Sequence, residues 1–186
     1  MPYDDEKAER AIGFISNLKL TGDFHGRPFQ LMPYMEEIVR EVYGTLNAQG
    51  VRLYRDIYLE VAKKNAKSEL GAGLALYSLF NTQEPNGEIY GAAGNREQAS
   101  IIFNRAVEMI RQSKALEKRV RIKDSTKTIV NKQTNSFYKV LSAEYTGKSG
   151  FSPTVVLFDE LHEQPNRRLF DILTRGVGLA RKQPLR

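Results

Sequence analysis

Thr154-Val155-Val156-Leu157-Phe158 narrows the fold more than any other stretch: a continuous apolar run that ends abruptly in Asp159 and Glu160. A strand without polar alternation has to be covered on both faces, as happens when a partly parallel sheet lies between helices. The rest of the chain supplies the partners. Gly87–Ala93 has the length and composition of a second short strand, and Val120–Ile122, Thr128–Val130 and Phe137–Ser142 are alternating runs divided by polar turns. Arg52–Val61, with β-branched and aromatic residues at near-alternate positions, predicts a further strand. Helical periodicity marks residues 6–18 and 34–47, Lys67–Phe80, Asn95–Ser113 and a last helix from about Asn166 to Leu173 or beyond. Strand–helix alternation in the first half predicts an α/β fold. There is no internal repeat and no low-complexity linker, so one domain is expected.

Composition removes several functional classes. The 186 residues contain no Cys, which excludes a disulfide framework, thiol catalysis and thiolate zinc sites. No apolar run approaches the roughly 18–20 residues of a membrane span, and Asp4, Asp5, Glu6 and Glu9 make the N-terminus unlike a signal peptide. A soluble, globular, intracellular protein is expected. The net charge of +6 is unevenly spread. Basic residues dominate from Arg105 to Lys132 and again from Arg167 to Arg186. Such patches attract polyanions, although a solvated helix face is the commoner use of a charge run.

Two segments carry the chemistry. The apolar Ile57–Val61 leads into Ala62-Lys63-Lys64-Asn65-Ala66-Lys67-Ser68, where a helix opens. Strand, loop and helix N-terminus together make an anion site, because free amides and the helix dipole both favour negative charge. The phosphate-loop pattern asks for Gly, four residues, Gly, Lys and Ser or Thr. Lys67 and Ser68 fit, but Val61 and Ala66 occupy the glycine positions. A basic helix-capping turn accounts for the same residues. The second segment is the apolar run ending in Asp159-Glu160. Carboxylates at the C-terminal tip of a buried strand can hold Mg2+ and orient water, or can simply begin a charged turn. A catalytic zinc site at His162 is not expected, because no second His lies near it, and His25 reads as a surface or capping residue. Gly71 and Gly73 fall inside a helix, where close packing against the sheet is the expected reason.

The run YLEVAKKNAKSELGAGLALYSLF resembles the phosphate-loop region of tailed-phage terminase large subunits. YGAAGNREQASIIFNRAVEMI is similar to that family's next strand and helix, VVLFDELHEQPN to its acidic motif, and GRPFQLMPYMEEIVREVYG to its adenine-side segment. The likeness spans about Ala11 to Arg175.

This resemblance implies a P-loop NTPase of the ASCE type: a mostly parallel sheet flanked by helices, with an N-terminal helical segment (1–50) packed on an ATPase core (51–186). It implies ATP and Mg2+ as cofactors, with Lys63, Lys64, Asn65, Ala66, Lys67 and Ser68 at the nucleotide. Ser68 and Asp159 would hold Mg2+, Lys67 would assist catalysis, and Glu160 would activate water. The family usually has Gly where Ala66 stands, often Arg near Lys63, and Gln where this chain has Met35. Lys148 is a candidate for contact with a neighbouring subunit. The implied activity is an ATPase motor that moves viral DNA into procapsids from the cytoplasm of a bacterial host. Its implied partners are double-stranded DNA, the portal protein, the terminase small subunit and copies of itself in a ring. Arg119, Arg121 and Lys123 are candidate DNA or partner contacts. The core is expected to lack the strand after the acidic one and the family's nuclease domain. A hydrolysis-deficient assembly module and a helicase-like ATPase are the alternatives.

Overall fold

A computed structural model of the protein describes residues 2–81, 85–143, 150–175 and 184–186. Two antiparallel-packed helices open the chain. The first, α1 (Asp5–Ser16), begins where the Asp4 carboxylate accepts the Lys7 amide at 3.0 Å, and Asp5 and Glu6 in its first turn complement the helix dipole. The second, α2 (Pro33–Gly44), starts on Pro33, whose missing N–H costs nothing at that position. Ala11, Ile15, Phe29, Met35 and Val39 turn inward and share one continuous core with the helices and sheet that follow.

Then come α3 (Lys67–Asn81), β1 (Glu88–Ala93), α4 (Arg96–Arg111), a short α5 (Lys114–Arg119), β2 (Val120–Lys123), β3 (Thr128–Asn131), β4 (Phe137–Ser142), β5 (Pro153–Phe158) and α6 (Arg168–Arg175). The sheet order is β2-β3-β4-β1-β5. Its centre, β4-β1-β5, is parallel, while β2 and β3 extend it antiparallel as a hairpin. One face packs Ile89, Ile129, Tyr138, Val140 and Val155 against the helices α3 and α4. On the other, Leu169 and Leu173 of α6 close over Tyr90, Ala92, Leu141 and Val156. Both faces of β5 are thus covered, as its unbroken apolar run requires.

Three expectations need correction. Arg52–Val61 does not join the five-stranded sheet: it runs extended, with a single bridge from Arg52 to Leu46. A strand exists only where a neighbour completes its hydrogen bonds, and beyond that bridge, among the described residues, this segment meets such a neighbour only at Arg55 and Ile57. Leu185 bridges Val155 in parallel, and Arg186 exchanges backbone bonds with Arg55 (2.7 Å) and Ile57 (2.8 Å). Pro184–Arg186 therefore lies in a row between β5 and the segment leading to the loop. Second, Gly71 and Gly73 pack against helices and not against the sheet. A methyl group on either would approach Ile102 of α4 or Ile15 of α1 to 3.0 Å. Third, Arg105 does not belong to the basic surface. Its guanidinium bonds Glu69 and Thr21, both at 2.6 Å, and fastens α4 to α3 and to the N-terminal loop. Lys148 lies outside the described residues.

Candidate nucleotide site

The loop before α3 is tightly wound. Lys64 (φ +69°) and Ala66 (φ +51°) are both left-handed, a region in which a Cβ is costly. Asn65 stabilises the turn by donating its side-chain amide to the Ala62 carbonyl at 3.0 Å, and Tyr34 of α2 donates its hydroxyl to the Asn65 carbonyl at 2.6 Å. Met35, next to Tyr34, is wholly buried in the core.

The winding delivers Lys67 to the first turn of α3 with its side chain pointing at the tip of β5. Its ammonium stands 3.2 Å from Asp159 Oδ1 and donates to Glu160 Oε1. Lys67 is thereby brought to two adjacent acids about ninety positions further along the chain. Asp159 is buried and doubly fixed. Its amide donates to Ala92 of β1 at 2.9 Å, and its Oδ2 accepts from Gln98 at 3.1 Å. Glu160 is left-handed (φ +46°) and opens a 3-10 turn over Leu161–Glu163. Gly94 is required beside that turn, because a Cβ there would lie 2.7 Å from the Glu163 carbonyl oxygen.

Electrostatics follow the geometry. The hydrogen bond from Lys67 holds the Glu160 carboxyl below its ordinary range; burial opposes this, and the charges of Lys67, His162 and Lys63 add to it. Burial on its own would pull Lys67 down, but the bond to Glu160 and the Asp159 charge outweigh it and raise the ammonium. Beneath the site, Tyr138 is fully buried, and burial plus the Asp159 charge push its phenol far up.

The donor set suits a magnesium nucleotide. Ser68 at the helix start and the Asp159 carboxylate are hard oxygen donors of the kind Mg2+ prefers, and loop amides with Lys67 suit phosphate. Lys63 and Lys64 lie exposed on the same loop. Among the described residues no cluster of three or more His, Asp or Glu forms a metal site, and His162 is largely exposed, 3.5 Å from Glu160.

Arg119, Arg121 and Lys123 lie away from this centre, at the β2 edge of the sheet. Sequence reasoning missed Gln98, Tyr34 and the Glu69–Arg105 pair. Gln98 did leave a signal: Asn95 caps α4 by accepting the Gln98 amide at 2.8 Å, and Asn-x-x-Gln is a capping pattern. The Tyr34 and Arg105 contacts have no local signature.

Comparison with known proteins agrees with this fold. The family profile "Terminase large subunit, ATPase domain" matches residues 33–186. The large terminase subunit of Enterobacteria phage HK97 is 33% identical over an alignment of 184 residues that covers 96% of this chain and 35% of that protein. The chain thus spans about a third of the length of the curated relative it matches. The HK97 large terminase crystal structure superimposes with a TM-score of 0.83 at 33% identity, covering 96% of this chain and 36% of that one. The ATPase domain of the Thermus phage P74-26 large terminase, at 18% identity, shares the fold with a TM-score of 0.55 over 79% of this chain and 65% of that one. With a matched profile over most of its length and a relative this similar, the chain belongs to the ATPase-domain family of phage terminase large subunits.

Proposed function

We propose that this domain binds and hydrolyses Mg·ATP as the motor of a terminase that moves duplex DNA into procapsids. The observation that carries the reading is the meeting of Lys67 with both Asp159 and Glu160 at the mouth of the loop. Residues 62–66 would wrap the phosphates with their amides, with Lys63 and Lys64 adding charge. Lys67 would bind the β- and γ-phosphate oxygens, and Ser68 with Asp159 would hold Mg2+. The bound ion would neutralise charge on the transferred phosphoryl group. Glu160 is ionised and held by Lys67, so it is occupied as a base until phosphate draws the ammonium away. Its freed carboxylate would then orient and deprotonate the attacking water. The N-terminal segment 1–50 would ride on the core 51–186. Portal protein, small subunit and a ring of copies in the host cytoplasm complete the proposal.

Calorimetry with Mg·ATP tests the reading. The chain should bind, Lys67→Ala should not, and Glu160→Gln should bind without releasing phosphate. A folded chain that binds no nucleotide would overturn it. A second reading, binding without turnover in an assembly module, is favoured by the strained Ala66 and by the burial of Met35. Absence of hydrolysis even with portal, small subunit and DNA added would decide for it.

A further inference from the structure

The candidate basic residues divide between the two faces of the sheet. Arg119 belongs to the helix-covered side. Its guanidinium lies 5.0 Å over the Phe80 ring and donates to Gln133 at 3.0 and 3.2 Å, so it is a packing residue. Along β2, Val120 and Ile122 face the core shared with α3 and α4, which turns Arg121 and Lys123 to the opposite face. The register aligns Lys123 with Thr128 and Thr128 with Lys139, forming a cross-strand row of Lys123, Thr128 and Lys139. Arg121, Val130 and Phe137 form the next row.

Among the described residues, the apolar cluster under α6 on this face reaches Phe137 and Leu141 but stops short of Thr128 and Val130. Arg121 and Lys123 are exposed, Lys139 is half-buried, and none of the three is paired with an acid among the described residues. Two nearby acids are otherwise engaged. Glu88 accepts from the Tyr90 hydroxyl and the Ser152 amide, both at 2.9 Å, and Asp124 in the hairpin turn pairs with Arg111 at 3.7 Å.

We infer that this β2-β3-β4 face, through Arg121, Lys123 and Lys139, is the domain's contact with the phosphate backbone of duplex DNA. Charge complementarity argues for the occupant: three cations stand on one sheet surface with no counterion among the described residues. Residues two apart on a strand are about 6.7 Å apart, and those two strands apart about 9.6 Å, a spread that suits a line of phosphates. The choice of duplex DNA among polyanions rests on the motor reading above. The location rests on the sheet register alone.

The test is salt-dependent binding of a fluorescein-labelled random-sequence duplex, read by anisotropy without nucleotide. Each phosphate neutralised contributes about 0.9 to the slope of log K against log salt. Arg121→Gln, Lys123→Gln and Lys139→Gln together should lower that slope by about 2.7, equivalent to about a 40-fold loss of salt sensitivity between 50 and 200 mM. Arg119→Gln should leave the slope unchanged. Equal slopes for the triple variant and the unmutated chain, or a loss produced by Arg119→Gln instead, would overturn the proposal, as would failure of the unmutated chain to bind. All variants should keep the Mg·ATP binding of the unmutated chain, so a failed motor reading shows itself separately in calorimetry.

Discussion

Gly91 and Tyr138 offer a sharp test of how the sheet supports the site. Gly91 of β1 faces the Tyr138 ring of β4, and a methyl group on Gly91 would lie 2.6 Å from the phenolic oxygen and 3.2 Å from Cε2. The ring has little room to retreat, since it is fully buried against Phe103 at a centroid distance of 6.1 Å. Overpacking of this kind costs about 1–3 kcal/mol, offset by about 0.4–1 kcal/mol from the reduced freedom of the unfolded chain. Gly91→Ala should therefore destabilise by about 0.5–2 kcal/mol. Tyr138→Phe removes the nearest atom, and the remaining contacts of 3.2 and 3.3 Å need adjustments of a few tenths of an ångström. It also removes a buried hydroxyl with no hydrogen-bond partner, so Tyr138→Phe alone should be neutral or stabilise by up to about 1 kcal/mol. In that background Gly91→Ala should be almost neutral, giving a coupling of about 0.5–2 kcal/mol. Urea unfolding followed by far-UV circular dichroism measures it, the chain having no Trp for fluorescence. A coupling below about 0.5 kcal/mol, the range of independent sites, would refute the steric argument.

Three further outcomes are expected. Ala66→Gly relieves a left-handed alanine worth about 1–2 kcal/mol, whereas the exposed Ala62 has no such strain. Ala66→Gly should thus be more stable than Ala62→Gly by about 1 kcal/mol after the lost methyl contact is allowed for, and equal stabilities in urea would contradict this. Arg105→Met strands the buried Glu69 carboxylate with Thr21 as its partner and should cost about 1–3 kcal/mol in the same assay, discounted because the arginine is about a third exposed. The Lys67–Glu160 pair should leave a signature in stability against pH. The Glu160 carboxyl is lowered in the folded state, so its contribution is present above the ordinary carboxylate range and is lost as pH falls through the folded value. Lys67 is raised, so its contribution is present below the ordinary lysine value and is lost as pH rises through the folded one. Lys67→Met should flatten both limbs, and an unchanged profile would mean the pair contributes nothing.

The helices and most strands were legible in the sequence because each is written in a local period. Asn95 marks the start of α4, the apolar run of β5 demands cover on both faces, and Lys67 and Asp159-Glu160 mark a helix start and a strand end. These are properties of short segments and the solvent around them. Arg52–Val61 misled for the same reason: its alternation suits a strand, but a strand also needs a partner, and beyond the bridge to Leu46 the described partner bonds are two, both to the distant Arg186. Tertiary structure alone decided that Lys67 meets both acids, that Gln98 holds Asp159, and that Tyr34 braces the loop. It also separated basic residues of similar appearance. Arg105 went into a half-buried ion pair, Arg119 onto an aromatic ring, and Arg121 and Lys123 to the face beside Lys139. Pattern records which way a side chain points within its own element, whereas packing sets what stands opposite it. That choice depends on contacts between segments far apart in the chain, and no local period encodes them.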